Sequence, residues 1–337
     1  MRLKPLVLAA AFLLISSTPA LVKAIKFPGF SSSVTLTRLI SHIAGDGGGV
    51  FSPNDSLIVS RSNRGGDYDW CIMDARGEDF GVKCLNIGMA NIGTIASWSP
   101  DGKAIVFSSD GHLYSIPDTG GTPTQLTLFI WSEFPSYSPD GNKIVFKRHG
   151  EIWAIDARGE NFGAKQLTSE ETGADVPRWS IDGSKVIFAR VGGYLDEIVE
   201  IDSAGEAAGI NVLSGVHCPQ DSGKVIRREP YYHPSGKFVS FTFRRCFEEG
   251  NLTYLIDANG EDVTTNKIYD QFSWITDWSS DGSKVLFSKD GDVWMASDLE
   301  VESICGDVNL TGDVTIADVV HLINFLLKSG PPPCEPD

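Results

Sequence analysis

A chain of 337 residues has room for one large domain and a small appendage, and a formal charge of −16 repels phosphate backbones, so nucleic acid is not an expected partner. The 35 Gly, together with 8 Trp, 8 Tyr and 18 Phe, suit many short strands joined by tight turns. Length, composition and charge together favour an acidic extracytoplasmic protein.

Residues 1–24 read as a secretory signal, with Arg2 and Lys4 at its start, an apolar run from Leu6 to Ile15, and cleavage after Ala20 or Ala24. The run is short of the roughly 20 residues that a membrane helix needs, so no membrane span is expected. No Cys follows it closely, which argues against a lipoprotein anchor. Cleavage after Ala24 removes Arg2, Lys4 and Lys23 and no acid, taking the charge from −16 to −19. The mature chain is expected outside the cytoplasm, whether secreted, periplasmic or at the cell surface.

Residues 25 to 33, with Pro28, Gly29 and a serine run, read as a linker, and Val34 to Ile40 reads as a strand. A short phrase then organises the chain. It is cleanest at Trp98-Ser99-Pro100-Asp101-Gly102, and it recurs at Tyr137-Ser138-Pro139-Asp140-Gly141, Trp179-Ser180-Ile181-Asp182-Gly183 and Trp278-Ser279-Ser280-Asp281-Gly282. Blurred copies stand at Phe51-Ser52-Pro53-Asn54-Asp55 and Tyr232-His233-Pro234-Ser235-Gly236. In five of the six a Phe follows nine residues after the aromatic (Phe107, Phe146, Phe188, Phe241 and Phe287), and Ser60 holds that place in the first.

The grammar is an aromatic strand, a tight turn, an apolar strand, a glycine turn, a third strand and a short fourth one, such as Gln166-Leu167-Thr168. Four antiparallel strands in about 40 residues are the unit of a β-propeller blade. The expected fold is all-β: a six-bladed propeller of four-stranded antiparallel blades over residues 25–300, followed by a calcium-binding module over 301–337. The sixth repeat lacks a fourth strand, and the strand at Val34 to Ile40 is expected to supply it by pairing with Asp292 to Met295, sealing the ring. The blades resemble those of the TolB-type propeller family over roughly residues 34 to 297, on the strength of these phrases and of strands such as Ile105-Val106-Phe107. That resemblance implies the fold, and it leaves binding, scaffolding and enzyme-accessory roles open.

Between Leu213 and Tyr232 the fifth repeat carries an insertion, read as a loop on one face. Arg227, Arg228 and Tyr231 make it locally basic, a candidate contact for an acidic or carbohydrate partner. The alternative is structural, with Tyr232 as the core aromatic and the arginines paired to nearby acids. The six cysteines allow 15 pairings, and neighbour pairing within modules gives Cys71–Cys84, Cys218–Cys246 and Cys305–Cys334.

Residues 307 to 318 have calcium-loop spacing. Asp307, Asn309 and Thr311 would bind through side chains, Asp313 through its carbonyl, Thr315 directly or through water, and Asp318 would close the shell of a Ca2+ ion. Gly312 sits at the sharp turn, and Val319 to Leu327 reads as a mostly apolar helix stopped by Gly330 and Pro331. With Gly306-Asp307-Val308-Asn309, this stretch resembles one repeat of a type I dockerin, which implies calcium binding and docking to a cohesin module in extracellular assemblies that degrade polysaccharides. It departs from that family in having a single repeat, in Thr311 at the fifth position, and in Ile316 and Ala317 where many dockerins carry hydroxyl residues.

The chain has no Gly-x-Ser-x-Gly elbow, no His-Glu-x-x-His motif and no phosphate-cradling loop, and its six His show no ligand spacing. Asp101, Asp140, Asp182 and Asp281 recur because the turn needs them. The expectation is therefore a secreted, monomeric, non-enzymatic binding or scaffolding propeller whose partner is a protein (cohesin-like or from the cell envelope) or a carbohydrate. The alternative is a glycan-acting hydrolase or lyase with paired carboxylates at the channel mouth.

Overall fold

The computed structural model describes residues 25–26, 33–40, 46–128, 130–159, 163–169, 173–192, 195–217, 226–244, 252–258, 266–269, 274–289 and 291–297. The signal segment 1–24, Cys218, Cys246, Cys305 and Cys334, and the calcium-loop residues Asp307, Asn309, Thr311, Asp313, Thr315 and Asp318 lie outside them.

Every sheet is small and antiparallel, and five of them are four-stranded meanders. Their first strands are Asp46–Phe51, Ile92–Trp98, Ser132–Tyr137, Ala174–Trp179 and Ile226–Tyr232. We number these sheets 1 to 5. A further sheet, numbered 6, starts at Trp274–Trp278 and is built from both ends of the described chain. Ser33–Arg38 pairs with its third strand, Asp292–Ser297, with Leu36 opposite Ala296 and Thr37 opposite Met295. The expectation of six four-stranded blades is corrected here to five. Ile25–Lys26, read as linker, forms a fifth strand on Ser33–Arg38, so there are five four-stranded blades and one five-stranded closing sheet. The extra strand covers an edge that would otherwise present unpaired backbone groups. First strands touch their neighbours in a cycle that returns from sheet 6 to sheet 1, which is a propeller arrangement.

The recurring phrase folds the same way each time. In sheet 3 the Ser138 hydroxyl donates to Asp140 Oδ1 at 2.6 Å and accepts from the Lys143 N–H at 2.9 Å, while Asp140 accepts from the Asn142 N–H at 3.0 Å. Ser99/Asp101, Ser180/Asp182 and Ser279/Asp281 repeat this geometry. Asn54 replaces the acid in sheet 1, and the His233 ring with the Ser235 hydroxyl replaces the pair in sheet 5. Hydrogen bonds to the ionised form hold Asp140, Asp182 and Asp281 down at about 2. The acids therefore recur for turn chemistry, as expected.

Adjacent turns also meet. A Cβ on Gly141 would lie 3.5 Å from Pro100 Cδ of the preceding turn, and one on Gly183 would lie 3.5 Å from Pro139 Cδ. The departures from the phrase fit this contact at the seam of the ring. Asp55 takes the glycine place in sheet 1 and adopts φ 57°, and Ser280 takes the proline place in sheet 6. The Ser280 hydroxyl donates to Asp55 Oδ2 at 2.6 Å, and the Ser280 N–H donates to Asp55 Oδ1 at 2.9 Å. Two departures from the motif, Asp55 and Ser280, thus complement each other across the join.

The phrase aromatics point back into the preceding sheet. Trp98 Nε1 donates to the Val50 carbonyl at 3.2 Å, Trp179 Nε1 to the Ser136 carbonyl at 3.2 Å, and Trp278 Nε1 to the Ser240 hydroxyl at 2.9 Å. Where the aromatic is Tyr, the preceding third strand offers a polar partner: Ser115 for Tyr137 and buried Glu200 for Tyr232. Where it is Trp or Phe the equivalent residue is apolar, as with Ile72 beside Trp98, Ala154 beside Trp179 and Met295 beside Phe51. Phe107, Phe146, Phe188, Phe241 and Phe287 are fully buried. Sheet 1, which has Ser60 in that place, sets Ser60 opposite Cys71, and Cys71 is bonded to Cys84 as expected.

Candidate functional site

First strands run from the connectors between sheets to the Ser-Pro-Asp-Gly turns, so the turns gather on one face and the connectors on the other. Most first strands carry a bulge a few residues before the phrase aromatic, with Phe134, Val176 and Glu229 at φ 54°, 47° and 60°. The bulge re-aims the residue just before the aromatic toward the next sheet. Those residues are Val50, Ser97, Ser136, Arg178, Tyr231 and Asp277. The Ser97 hydroxyl accepts from the Tyr137 N–H at 3.2 Å, and Asp277 Oδ2 accepts from the Phe51 N–H at 2.8 Å across the seam.

This inner ring is lopsided. Three neighbouring sheets contribute Val or Ser, and the other three contribute Arg178, Tyr231 and Asp277. Arg178 is 9% exposed; its Nη2 donates to the Tyr231 hydroxyl at 2.9 Å and its Nη1 to the Pro177 carbonyl at 3.1 Å. The guanidinium carbon lies 4.8 Å from the centre of the Tyr231 ring, close enough for a cation–π contact. Burial pushes the Tyr231 phenol up to about 12, with Arg178 opposing, so it stays protonated at neutral pH. Burial likewise pushes the Asp277 carboxyl up to about 7, against the N–H groups of Phe51 and Trp278 and the charge of Arg178, all of which favour ionisation.

Of the sequence candidates, Tyr231 belongs to this cluster. Arg227 and Arg228 lie on its strand, Ile226–Tyr232, paired with Phe243 and Thr242. They are therefore on a strand of the ring, whereas the sequence read them as part of a loop; the preceding strand extends over Ile210–His217, and residues 218–225 lie outside the described residues. Arg178 and Asp277 escaped the sequence reading, although aligning the column before each phrase aromatic would have exposed them.

On the turn face, Asp101, Asp140 and Asp156 line a cleft of about 870 Å³ with Lys103, Tyr137 and Arg158. All three carboxylates are committed. Ser99 and the Lys103 N–H hold Asp101 below its ordinary value, and the side chain and N–H of Arg158 hold Asp156 at about 2. None can serve as a proton donor near neutral pH. On the connector face, Leu128, Ile130 and Trp131 are 71%, 56% and 58% exposed, and Trp131 takes φ 66° with its ring 6.2 Å from that of His149. Among the described residues no cluster of three His, Cys, Asp or Glu could hold a metal, and no helix is long and apolar enough to cross a membrane.

No protein-family model matches the chain, and no curated protein matches it. Solved structures do. A putative TolB from Agrobacterium tumefaciens superposes with a TM-score of 0.60 at 18% identity, covering 78% of this chain and 96% of that one. The fold is that of a TolB-like β-propeller. An oligogalacturonate lyase in complex with manganese gives 0.55 at 13% identity, covering 81% and 78%. TolB from Acinetobacter baumannii gives 0.52 at 16%, covering 81% of this chain and 62% of that chain. At these identities the TolB-like likeness is one of architecture, and it spans proteins of different activity.

Proposed function

We propose that the protein is a secreted, non-enzymatic binding or scaffolding propeller, tethered through a calcium-loaded C-terminal segment. The observation that carries this reading is the apolar run on the connector face. Leu128, Ile130 and Trp131 stand in water, and Trp131 holds a backbone conformation that bulky residues seldom adopt. Exposure of this kind favours a contact surface for a protein partner. The committed carboxylates of the turn-face cleft support a non-catalytic role, and the Cys71–Cys84 bond suits an oxidising compartment. Capture of a cell-envelope protein by the full chain, lost in Trp131→Ser with Leu128→Ser, tests the reading; capture unchanged by both substitutions refutes it.

Calcium at Asp307, Asn309, Thr311, Asp313, Thr315 and Asp318 is part of the proposal. Calorimetry should show calcium uptake by the full chain and none by Asp307→Ala, and equal heats from both would remove the site. A second reading, a glycan-acting enzyme, is favoured by one observation, the Asp277 carboxyl held near neutrality as a general acid or base would be. Turnover on a polysaccharide panel that disappears in Asp277→Asn would replace the first reading with this one.

A further inference from the structure

We infer that Arg178, with the Tyr231 hydroxyl beside it, is a receptor for a carboxylate group on a small ligand held at the inner ring. The inference deepens the binding reading by naming a ligand class.

A guanidinium has five N–H donors in a fixed fork that matches a carboxylate. Among the described residues Arg178 makes two hydrogen bonds, one to a neutral phenol and one to its own strand, and it forms no ion pair. A cation that is nine-tenths buried ordinarily has a counter-charge, because desolvating it alone is costly. The fork therefore retains donors for a ligand. Val50 and Ser97, in the same ring position, keep part of their surface exposed, so solvent reaches the ring on that side.

The acidic chain opposes anions at long range, but at physiological salt that field is screened beyond about 8 Å. The local opposition comes from identifiable groups. The charges acting on Asp277 are Arg178 on the first strand of sheet 4 and Asp55 in the first turn of sheet 1, and those acting on Tyr231 are Arg178, Asp277 and Glu229 on the first strand of sheet 5. An anion on Arg178 is a like charge for Asp277, so its carboxyl takes up a proton from solvent as the ligand binds. Binding is thus tighter below the free-state value of Asp277 and weakens as pH rises through it.

Calorimetry on the full chain with galacturonate, N-acetylglutamate and, as neutral control, glucose tests this at pH 5.5 and 8.5, where both acids are ionised. We expect binding of at least one acid and none of glucose, with affinity several-fold higher at pH 5.5. Arg178→Gln should lose roughly tenfold or more, as charge-assisted pairs do. Tyr231→Phe, which keeps the ring in place, should lose several-fold, and Asp277→Asn should flatten the pH dependence. Galacturonate alone would identify a sugar acid as the source of the carboxylate, and N-acetylglutamate alone an acidic amino acid. No heat from either acid, or full affinity in Tyr231→Phe together with Arg178→Gln, overturns the inference. Partner capture through Trp131 is a separate readout, so the loss of one conclusion leaves the other standing.

Discussion

Asp277→Asn offers a direct test of the electrostatics at the seam. The native carboxyl titrates at about 7 against an ordinary 3.8, so the folded protein holds a proton that the unfolded chain gives up between those values. Stability from this group is therefore greatest below pH 3.8, falls as pH rises, and stops falling above about 7. The whole shift corresponds to roughly 4 kcal/mol, of which roughly 2–3 kcal/mol falls between pH 5 and pH 8. Asn has the same shape and retains an oxygen for the Phe51 N–H, so it removes the charge without removing the seam contact. Urea unfolding at pH 5 and pH 8 should show the variant gaining on wild type by roughly 2–3 kcal/mol between the two conditions. The turn aspartates act in the opposite sense. Asp140, Asp182 and Asp281, held at about 2, contribute above pH 3.8 and are lost as pH falls toward 2, so they are constant across the chosen window. An identical pH 5-to-8 change in both proteins would refute the assignment of a buried, near-neutral carboxyl at the ring closure.

Three further outcomes are expected. The Cys71–Cys84 bond spans a sequence separation of 13, so Cys71→Ser with Cys84→Ser should cost about 3 kcal/mol by loop entropy, read as a lower urea midpoint that reductant no longer shifts. Tyr232→Phe leaves buried Glu200 with only the Lys185 ammonium at 2.6 Å of its two described partners, and should cost about 1–3 kcal/mol; Tyr137→Phe, opposite Ser115, should cost about 1 kcal/mol, and equal losses in unfolding assays would remove the distinction. Asp55→Ala and Ser280→Ala should each lose about 1 kcal/mol or less and couple in a double-mutant cycle, whereas strictly additive losses would mean that their contact does not help close the ring.

Repetition decided what the sequence could reveal. The turn phrase specifies a local device through a serine hydroxyl, an aspartate oxygen and a glycine, all within six residues, so each copy is legible alone. The closing strand was legible too, because a missing fourth strand at one end and an unclaimed strand at the other imply each other. Ile25–Lys26 was not, since two residues beside Pro28 and Gly29 carry no period, and only pairing with Val34 and Ser33 makes them a strand. The fifth repeat misled because its strands Ile210–His217 and Ile226–Tyr232 are long, and a sequence gap in a repeat pattern does not tell long strands from a long loop.

The candidate site was hidden for a different reason. Propeller geometry brings together residues that are far apart in the chain but equivalent in the repeat, so the informative comparison runs across copies at one column. In the column before the aromatic, Val50, Ser97 and Ser136 give way to Arg178, Tyr231 and Asp277. Three successive sheets thus place a guanidinium, a phenol and a carboxyl where the other three place Val or Ser. The three are also mutually dependent, since Arg178 leans on Tyr231, and Asp277 feels Arg178 while holding the first sheet to the last. Departure from symmetry at this one column is the observation on which the proposed carboxylate receptor rests.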